Sequence, residues 1–311
     1  YIPETTEVVG SKTWVDNNDQ DGVRPTEIII NLYANETKVG EQTVKPDAEG
    51  NWSWSFTNLP KYENGTKIAY TISEEAIEGY TADVDTQAVE RTDGKLELNV
   101  KNTHTPGKTG CKVKKAWSDN NNQDGKRPAS IQVQLYKNEV SEANKVGSVV
   151  TLSESNQWFY EWTGLDEKEA GETITYVVDE VSVPEGYDKS ISGDMSLYTV
   201  TNSYKPETTS ISGSKTWKDN NDQDGKRPES ITIRLYADEK EVASKTVTAS
   251  DGWKWSFTNL PVYNNGEKIK YTITEDEVKD YTTEIKGYDV ENSYIPETTE
   301  VVGSKTWVDN N

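Results

Sequence analysis

Three kinds of polar residue recur in this chain at positions where apolar residues belong. The tripeptide Lys-Thr-Trp begins at Lys12, Lys215 and Lys305, and its variant Lys-Ala-Trp at Lys115. Downstream stand Asn102 in Lys-Asn-Thr, Asn202 in Thr-Asn-Ser-Tyr and Asn292 in Glu-Asn-Ser-Tyr. Between each Lys and its Asn, a Glu follows a Tyr four positions later, at Tyr70/Glu74, Tyr176/Glu180 and Tyr271/Glu275. Strand side chains alternate between faces. Lys12 therefore shares a face with Val8 and Trp14, Glu74 with Tyr70 and Ile72, and Asn102 with Leu98 and Val100. The same count groups Lys115 with Cys111 and Trp117, and Lys215 with Ile211 and Trp217. Each repeat thus points an amine, a carboxyl and a carboxamide inward, which is costly unless they are paired or neutralised.

One outcome is a buried, hydrogen-bonded polar cluster. The other is a reaction. Desolvation lowers a Lys pKa and raises a Glu pKa, so both groups can be neutral together. A neutral amine is a nucleophile, and the carboxamide carbon of Asn is an electrophile. A protonated Glu would polarise that carbonyl and pass a proton to the departing ammonia. The product is a Lys–Asn isopeptide bond, and the presence of the same trio in three repeats favours it.

The trios are embedded in a longer pattern. Lys-Thr-Trp is followed by Asp-Asn-Asn-x-Gln-Asp-Gly-x-Arg-Pro, then Leu-Tyr, Asn-Leu-Pro, Tyr-Thr-Ile-x-Glu and a closing Asn-Ser-Tyr. This pattern resembles the B-type repeats of Gram-positive collagen adhesins, the Cna B-type domains, across essentially the whole chain. The resemblance implies an all-β fold of tandem immunoglobulin-like sandwiches. It also implies the bonds Lys12–Asn102, Lys115–Asn202 and Lys215–Asn292, promoted by Glu74, Glu180 and Glu275. In the second repeat Lys112 and Lys114 compete on paper, but only Lys115 keeps the register two before Trp117. Lys305 has no Glu or Asn partner downstream, so its amine is expected to stay free.

The repeat length sets the organisation: repeats over 1–105, 106–205 and 206–295, then a truncated opening strand of a fourth over 296–311. Tyr1 to Asn18 and Tyr294 to Asn311 are identical, which leads us to expect a piece of a longer array with its wall anchor elsewhere. Pro/Thr-rich joints near Pro3, Pro106, Pro206 and Pro296 are short, and Pro stiffens extended backbone, so a rod is expected. Of the 311 residues 32% are hydrophobic, and the mean hydropathy is −0.86. Such a thin core in small domains favours a covalent staple. The single cysteine, Cys111, excludes an intrachain disulfide and reads as a small buried apolar residue.

A net charge of −21 argues against nucleic acid and against anionic membranes. No apolar run reaches transmembrane length. The loops at Asn17-x-Asp19-x-Asp21-Gly22, Asn120-x-Asn122-x-Asp124-Gly125 and Asn220-x-Asp222-x-Asp224-Gly225 resemble the start of a calcium loop. The bidentate Glu of position twelve is replaced by Ile28, Ile131 and Ile231, so metal-free Asx turns are expected. No cofactor is expected. His104, the sole histidine, reads as a solvated surface residue. Trp52, Trp54 and Phe56 share a face, as do Trp158, Tyr160 and Trp162, and Trp253, Trp255 and Phe257. Core packing is expected of them over a carbohydrate platform.

The expected role is a structural stalk of a cell-wall-anchored adhesin, each repeat partnering its neighbours and a separate region holding any host ligand. The alternative is a module binding a host protein or glycan through exposed aromatic or acidic surface. A turnover enzyme fits poorly, because the chemistry consumes its own residues once.

Overall fold

In the first repeat, several turns are built by residues that tolerate positive φ. The strands are β1 (Thr5–Val15), β2 (Ile28–Ala34), β3 (Thr37–Val44), β4 (Trp52–Pro60), β5 (Tyr62–Glu63), β6 (Thr66–Lys67), β7 (Tyr70–Glu74), β8 (Thr81–Val84), β9 (Val89–Glu90), β10 (Leu96–Glu97) and β11 (Val100–Thr103). Asn35, Asn64, Gly65 and Gly79 all have positive φ in the turns between them, where Asn and Gly carry little steric cost. The computed structural model describes residues 2–309; Tyr1, Asn310 and Asn311 of the matching ends lie outside the described residues.

Two sheets face each other. In the first, β1 pairs antiparallel with β4 along one edge and parallel with β10 and β11 along the other. In the second, β2 lies between β3 and β7. Val8, Trp54, Leu98 and Val100 of the first sheet close on Ile30, Leu32, Tyr70 and Ile72 of the second, forming one buried apolar cluster. Ile28, Ile30 and Leu32 are buried as a set, and Asn31 between them is buried as well.

The later repeats follow the same plan. The second contains β12 (Lys108–Ser118), β13 (Ser130–Lys137), β14 (Lys145–Ser153), β15 (Phe159–Asp166), β16 (Lys168–Glu169), β17 (Glu172–Thr173), β18 (Tyr176–Glu180), β19 (Asp188–Asp194) and β20 (Leu197–Ser203). Here β12 pairs antiparallel with β15, and β13 lies between β14 and β18. The third contains β21 (Thr208–Lys218), β22 (Ser230–Ala237), β23 (Lys240–Thr248), β24 (Lys254–Pro261), β25 (Tyr263–Asn264), β26 (Glu267–Lys268), β27 (Tyr271–Glu275), β28 (Thr282–Lys286) and β29 (Asp289–Ser293). Its sheets run β24-β21-β29-β28 and β23-β22-β27. The opening strand is bulged at the same place each time, between Thr6 and Val8, Thr109 and Cys111, and Thr209 and Ile211.

Internal contacts gather the chain into two compact units. One holds the first repeat with most strands of the second; the other holds the rest of the second with the third. Residues 296–309 form no strand, and Val301 and Trp307 are exposed. In complete repeats this segment is a strand because it pairs along both edges, as β1 does with β4 and β11. Among the described residues no strand pairs with the tail. Among the described residues no helix is long and apolar enough to cross a membrane.

Candidate functional site

Lys12 and Glu74 come from opposite sheets and meet in the core. Strand β1 carries Lys12 inward, and β7 carries Glu74 inward through its antiparallel register with β2, where Glu74 pairs with Ile30. The Lys12 ammonium donates a hydrogen bond to Glu74 Oε1, and both side chains are essentially sealed from solvent. Lys12 Nζ also lies 4.5 Å from the centroid of the Trp14 ring. Burial pushes the Lys12 amine below its ordinary pKa, with Glu74 opposing the shift.

Asn102 completes the arrangement from the neighbouring strand. In the parallel pairing of β1 with β11, Lys12 lies opposite Val100 and Trp14 opposite Asn102. Asn102 is 1% exposed, yet neither its Oδ1 nor its Nδ2 has a hydrogen-bond partner, and Glu74 Oε2 is equally unpartnered. Buried carboxamides are nearly always satisfied, so an unsatisfied one beside a buried amine demands an explanation.

The third repeat repeats the geometry. Lys215 donates to Glu275 Oε1, with both side chains fully buried. Burial again lowers the Lys215 amine, and its Nζ lies 4.5 Å from the Trp217 ring. Trp217 pairs with Asn292, whose two polar side-chain atoms lack partners. In the second repeat, Lys115 and Glu180 are buried in the first compact unit and Asn202 is buried in the second. Lys114 is exposed and Lys112 sits near Glu161 at 3.7 Å, so Lys115 alone of the three is buried.

Comparison with known proteins fits this picture. The family model of the Cna protein B-type domain matches residues 8–103, 111–203 and 211–293. The chain belongs to the Cna B-type domain family. It is similar to a collagen adhesin of Staphylococcus aureus, 44% identical over 312 aligned residues, which takes in the whole of this chain and 25% of that protein. It is also similar to the crystal structure of two B repeat units of the collagen binding protein of S. aureus, with 44% identity and a TM-score of 0.59, covering 94% of this chain and 74% of that one. The chain thus spans a quarter of the length of its curated relative. B-type repeats of this family occur in Gram-positive surface adhesins.

Each B-type repeat carries a second buried ionic feature that the sequence reading missed. Asp16 accepts two hydrogen bonds from the Arg24 guanidinium, at 2.6 and 2.9 Å, and one from the Tyr80 hydroxyl at 2.7 Å. Burial alone would raise its pKa, but Arg24, Tyr80 and the Asp19 N–H outweigh it and hold the carboxyl at about 2. Asp119 with Arg127 and Tyr187, and Asp219 with Arg227 and Tyr281, repeat the clamp. The signal was present: every loop opens with Asp and closes eight residues later with Arg before Pro.

The acidic loops prove to be structural ties. Asp19 Oδ1 accepts from the Arg24 N–H, and Asp222 Oδ1 from the Arg227 N–H. Asp21 Oδ2 accepts from the Gly107 N–H at 2.9 Å, Asp124 Oδ2 from the Glu207 N–H at 2.8 Å, and Asp224 Oδ2 from the Glu297 N–H at 2.8 Å. Each therefore holds the joint that follows its repeat. Among the described residues no group of three or more His, Cys, Asp or Glu side chains is placed to hold a metal ion.

Two expectations need correction. His104 is not a solvated surface residue: its ring is mostly covered, tilted against Tyr80 with the ring centroids 5.3 Å apart, and hydrogen-bonded to Gly79 O and to Asp21 Oδ2 at 3.0 Å. It stands where Tyr204 and Tyr294 stand, whose hydroxyls donate to Asp124 and Asp224. The second is the aromatic face of the second repeat. Trp52 and Trp54 are buried as expected, but Tyr160 is 39% exposed. In the other repeats the equivalent Trp lies on a glycine; a Cβ on Gly10 would sit 2.5 Å from the Trp54 ring and one on Gly213 2.7 Å from Trp255. Val113 fills that place in the second repeat and is itself fully buried, leaving Tyr160 toward the rim, edge-on to Trp162. Cys111 is buried, its thiol pushed up to about 11 by desolvation, as expected of an inert core residue.

Proposed function

We propose that this chain is a structural stalk of a Gram-positive surface adhesin, and that each repeat staples itself once by an intramolecular isopeptide bond. The carrying observation is the fully buried Asn102 carboxamide, with no hydrogen-bond partner, beside the buried Lys12–Glu74 pair, repeated at Asn292 with Lys215 and Glu275. Transfer of the ammonium proton to Glu gives a neutral amine and a carboxylic acid. The Lys Nζ attacks Asn Cγ, the Cγ–Nδ2 bond breaks, and Nδ2 leaves as ammonia after receiving a proton through Glu. Lys12–Asn102 with Glu74, Lys115–Asn202 with Glu180, and Lys215–Asn292 with Glu275 are the assigned sets. The domains follow as 1–105, 106–205 and 206–295. The location is extracellular on the cell wall, and a host ligand, such as the collagen named for its relatives, is left to regions outside these repeats.

Intact mass tests it. The chain should be lighter than its sequence by three ammonias, and Glu275→Gln should restore one. A full-sequence mass would end the cross-link reading. The competing reading, a ligand-binding module, has one observation in its favour, the exposed pair Phe159 and Tyr160. That pair occurs in the second repeat alone, whereas the buried trio recurs in every repeat, so the stalk is the better supported reading.

A further inference from the structure

The acidic loop does more than hold the joint: it seats on the hairpin of the following repeat. The Gly171 N–H donates to Gln20 O at 3.0 Å, and the Gly266 N–H donates to Gln123 O at the same distance. In both cases two glycines meet face to face. A Cβ added to Gly22 would lie 2.6 Å from Gly171 Cα, and one added to Gly125 would lie 2.6 Å from Gly266 Cα. The receiving turns share one backbone shape, with positive φ at two successive residues: Ala170 and Gly171, and Asn265 and Gly266. That shape is a tight hairpin turn, joining β16 to β17 and β25 to β26. The loops are preset as well, because Asn17, Asn120 and Asn220 each donate through Nδ2 to the side chain of Gln20, Gln123 and Gln223.

The first hairpin and the last loop have the same shapes, but among the described residues no glycine faces theirs. Asn64 and Gly65, between β5 and β6, have φ of 45° and 79°, matching 49° and 82° at Asn265 and Gly266. Gly225 has φ of 62°, against 65° and 68° at Gly22 and Gly125. A Cβ on Gly65 or Gly225 would meet nothing within 4 Å. Among the described residues no backbone N–H donates to Gln223 O. Beside the 62–67 hairpin runs an apolar groove lined by Val39, Leu59, Pro60, Tyr62 and Ile68. Its counterpart in the third repeat, lined by Val242, Leu260, Pro261, Tyr263 and Ile269, is the groove that Gln123 borders.

We propose that the Asn220–Gly225 loop and the Asn64–Gly65 hairpin are the two halves of a docking joint, each made for a further B-type repeat. The loop would present Gln223 O to the hairpin glycine N–H of a following repeat. The Gly65 N–H would reach the corresponding Gln carbonyl of a preceding one. This joint is noncovalent and stands whether or not the isopeptide bonds form.

Because residues 294–311 repeat 1–18, extending the chain after Asn311 with its own residues 19–104 adds a fourth repeat in register. Amide hydrogen exchange then reads the joint. The appended counterpart of Gly65 should exchange slowly, like Gly171 and Gly266, and roughly fivefold or more slower than Gly65 itself in the same chain. Gly225→Ala in the extended chain should return that amide to the Gly65 rate while the Val290 amide keeps its protection. An appended glycine that exchanges as fast as Gly65, or one whose protection survives Gly225→Ala, overturns the proposal. If the appended repeat does not fold, the unextended chain is concentrated instead. The Gly65 and Gly225 amide signals should shift together as copies associate end to end, and signals that stay fixed overturn it.

Discussion

Asn292→Ala in the third repeat separates the cross-link from everything else in the site. It deletes the electrophile but leaves the Lys215–Glu275 pair, both members fully buried, intact. In the uncrosslinked state it also removes a carboxamide with no hydrogen-bond partner, so the substitution itself costs only a small cavity. The loop closed by a Lys215–Asn292 bond spans nearly the whole repeat. For a loop of roughly 80 residues, the chain-entropy relation gives about 4.5 kcal/mol at room temperature. For a domain of this size that corresponds to a fall in Tm of roughly 20–35 °C. The assay pairs intact mass with denaturant unfolding followed by Trp217 and Trp253. The expected result is one ammonia regained and one of three transitions shifted by that amount, the other two unmoved. An ammonia regained without a shift beyond about 1 kcal/mol would refute the staple as a source of stability; an unchanged ammonia deficit, each mass being compared with its own sequence, would show that Asn292 was never joined.

Four further outcomes follow from the same geometry. Asp219→Asn removes a carboxyl that Arg227, chiefly, holds at about 2; from an ordinary value of 3.8 this corresponds to about 2 kcal/mol. A depressed acid stabilises above its unfolded pKa, so the wild-type advantage in urea unfolding should be full at neutral pH and vanish between pH 3.8 and about 2; a difference that persists below that range contradicts the clamp. At the first joint, the Asp21 carboxylate and the Gly79 carbonyl raise His104 above its ordinary value. That contribution, roughly 0.2–1 kcal/mol for a partly exposed pair, is complete below pH 6.5 and lost as pH rises through the raised value, so Gly107 amide protection should weaken with rising pH and lose this dependence in His104→Tyr. Lys12→Ala should give the first repeat alone a full-length unfolding step under end-to-end pulling, and such steps from every unmodified repeat would exclude a covalent path. Deleting residues 298–311 should leave all three melting transitions in place, and a large loss from the third would move its boundary beyond Tyr294.

The inward face of each strand was legible because alternation is a backbone property: Lys12, Glu74 and Asn102 lie inside for the same reason as Val8, Ile72 and Val100. The sheet partners were less so. That β1 runs parallel to β11 while pairing antiparallel with β4 depends on long-range crossovers that no local period encodes. His104 was misjudged because its partner is distant in sequence: Asp21 lies 83 residues away, and nothing near His104 suggests a carboxylate. Comparison among the repeats held the missing signal, since His104 occupies the position of Tyr204 and Tyr294, both of which reach the same loop acid.

The acidic loop shows why a motif can be visible while its role is not. Its Asn, Asp and Gly residues suit ion binding and tight turns equally well, and the replacement of the twelfth-position Glu by Ile28, Ile131 and Ile231 argued only against the ion. What decides its role is the partner. The clamp Asp16 turns inward to Arg24 and Tyr80, fixing the loop to its own repeat. Five residues later Asp21 turns outward to Gly107, fixing the same loop to the next repeat. One short segment therefore ties the interior of one repeat to the start of its successor. Within a repeat, the proposed covalent bond would carry tension from the first strand to the last. Between repeats, tension passes along the short linker that Asp21, Asp124 and Asp224 hold in place. These joints are noncovalent, so under load they should yield before any stapled repeat does. The first joint should also be the one whose yield force varies with pH, because only there is the acid's partner a histidine, its pKa raised chiefly by Asp21.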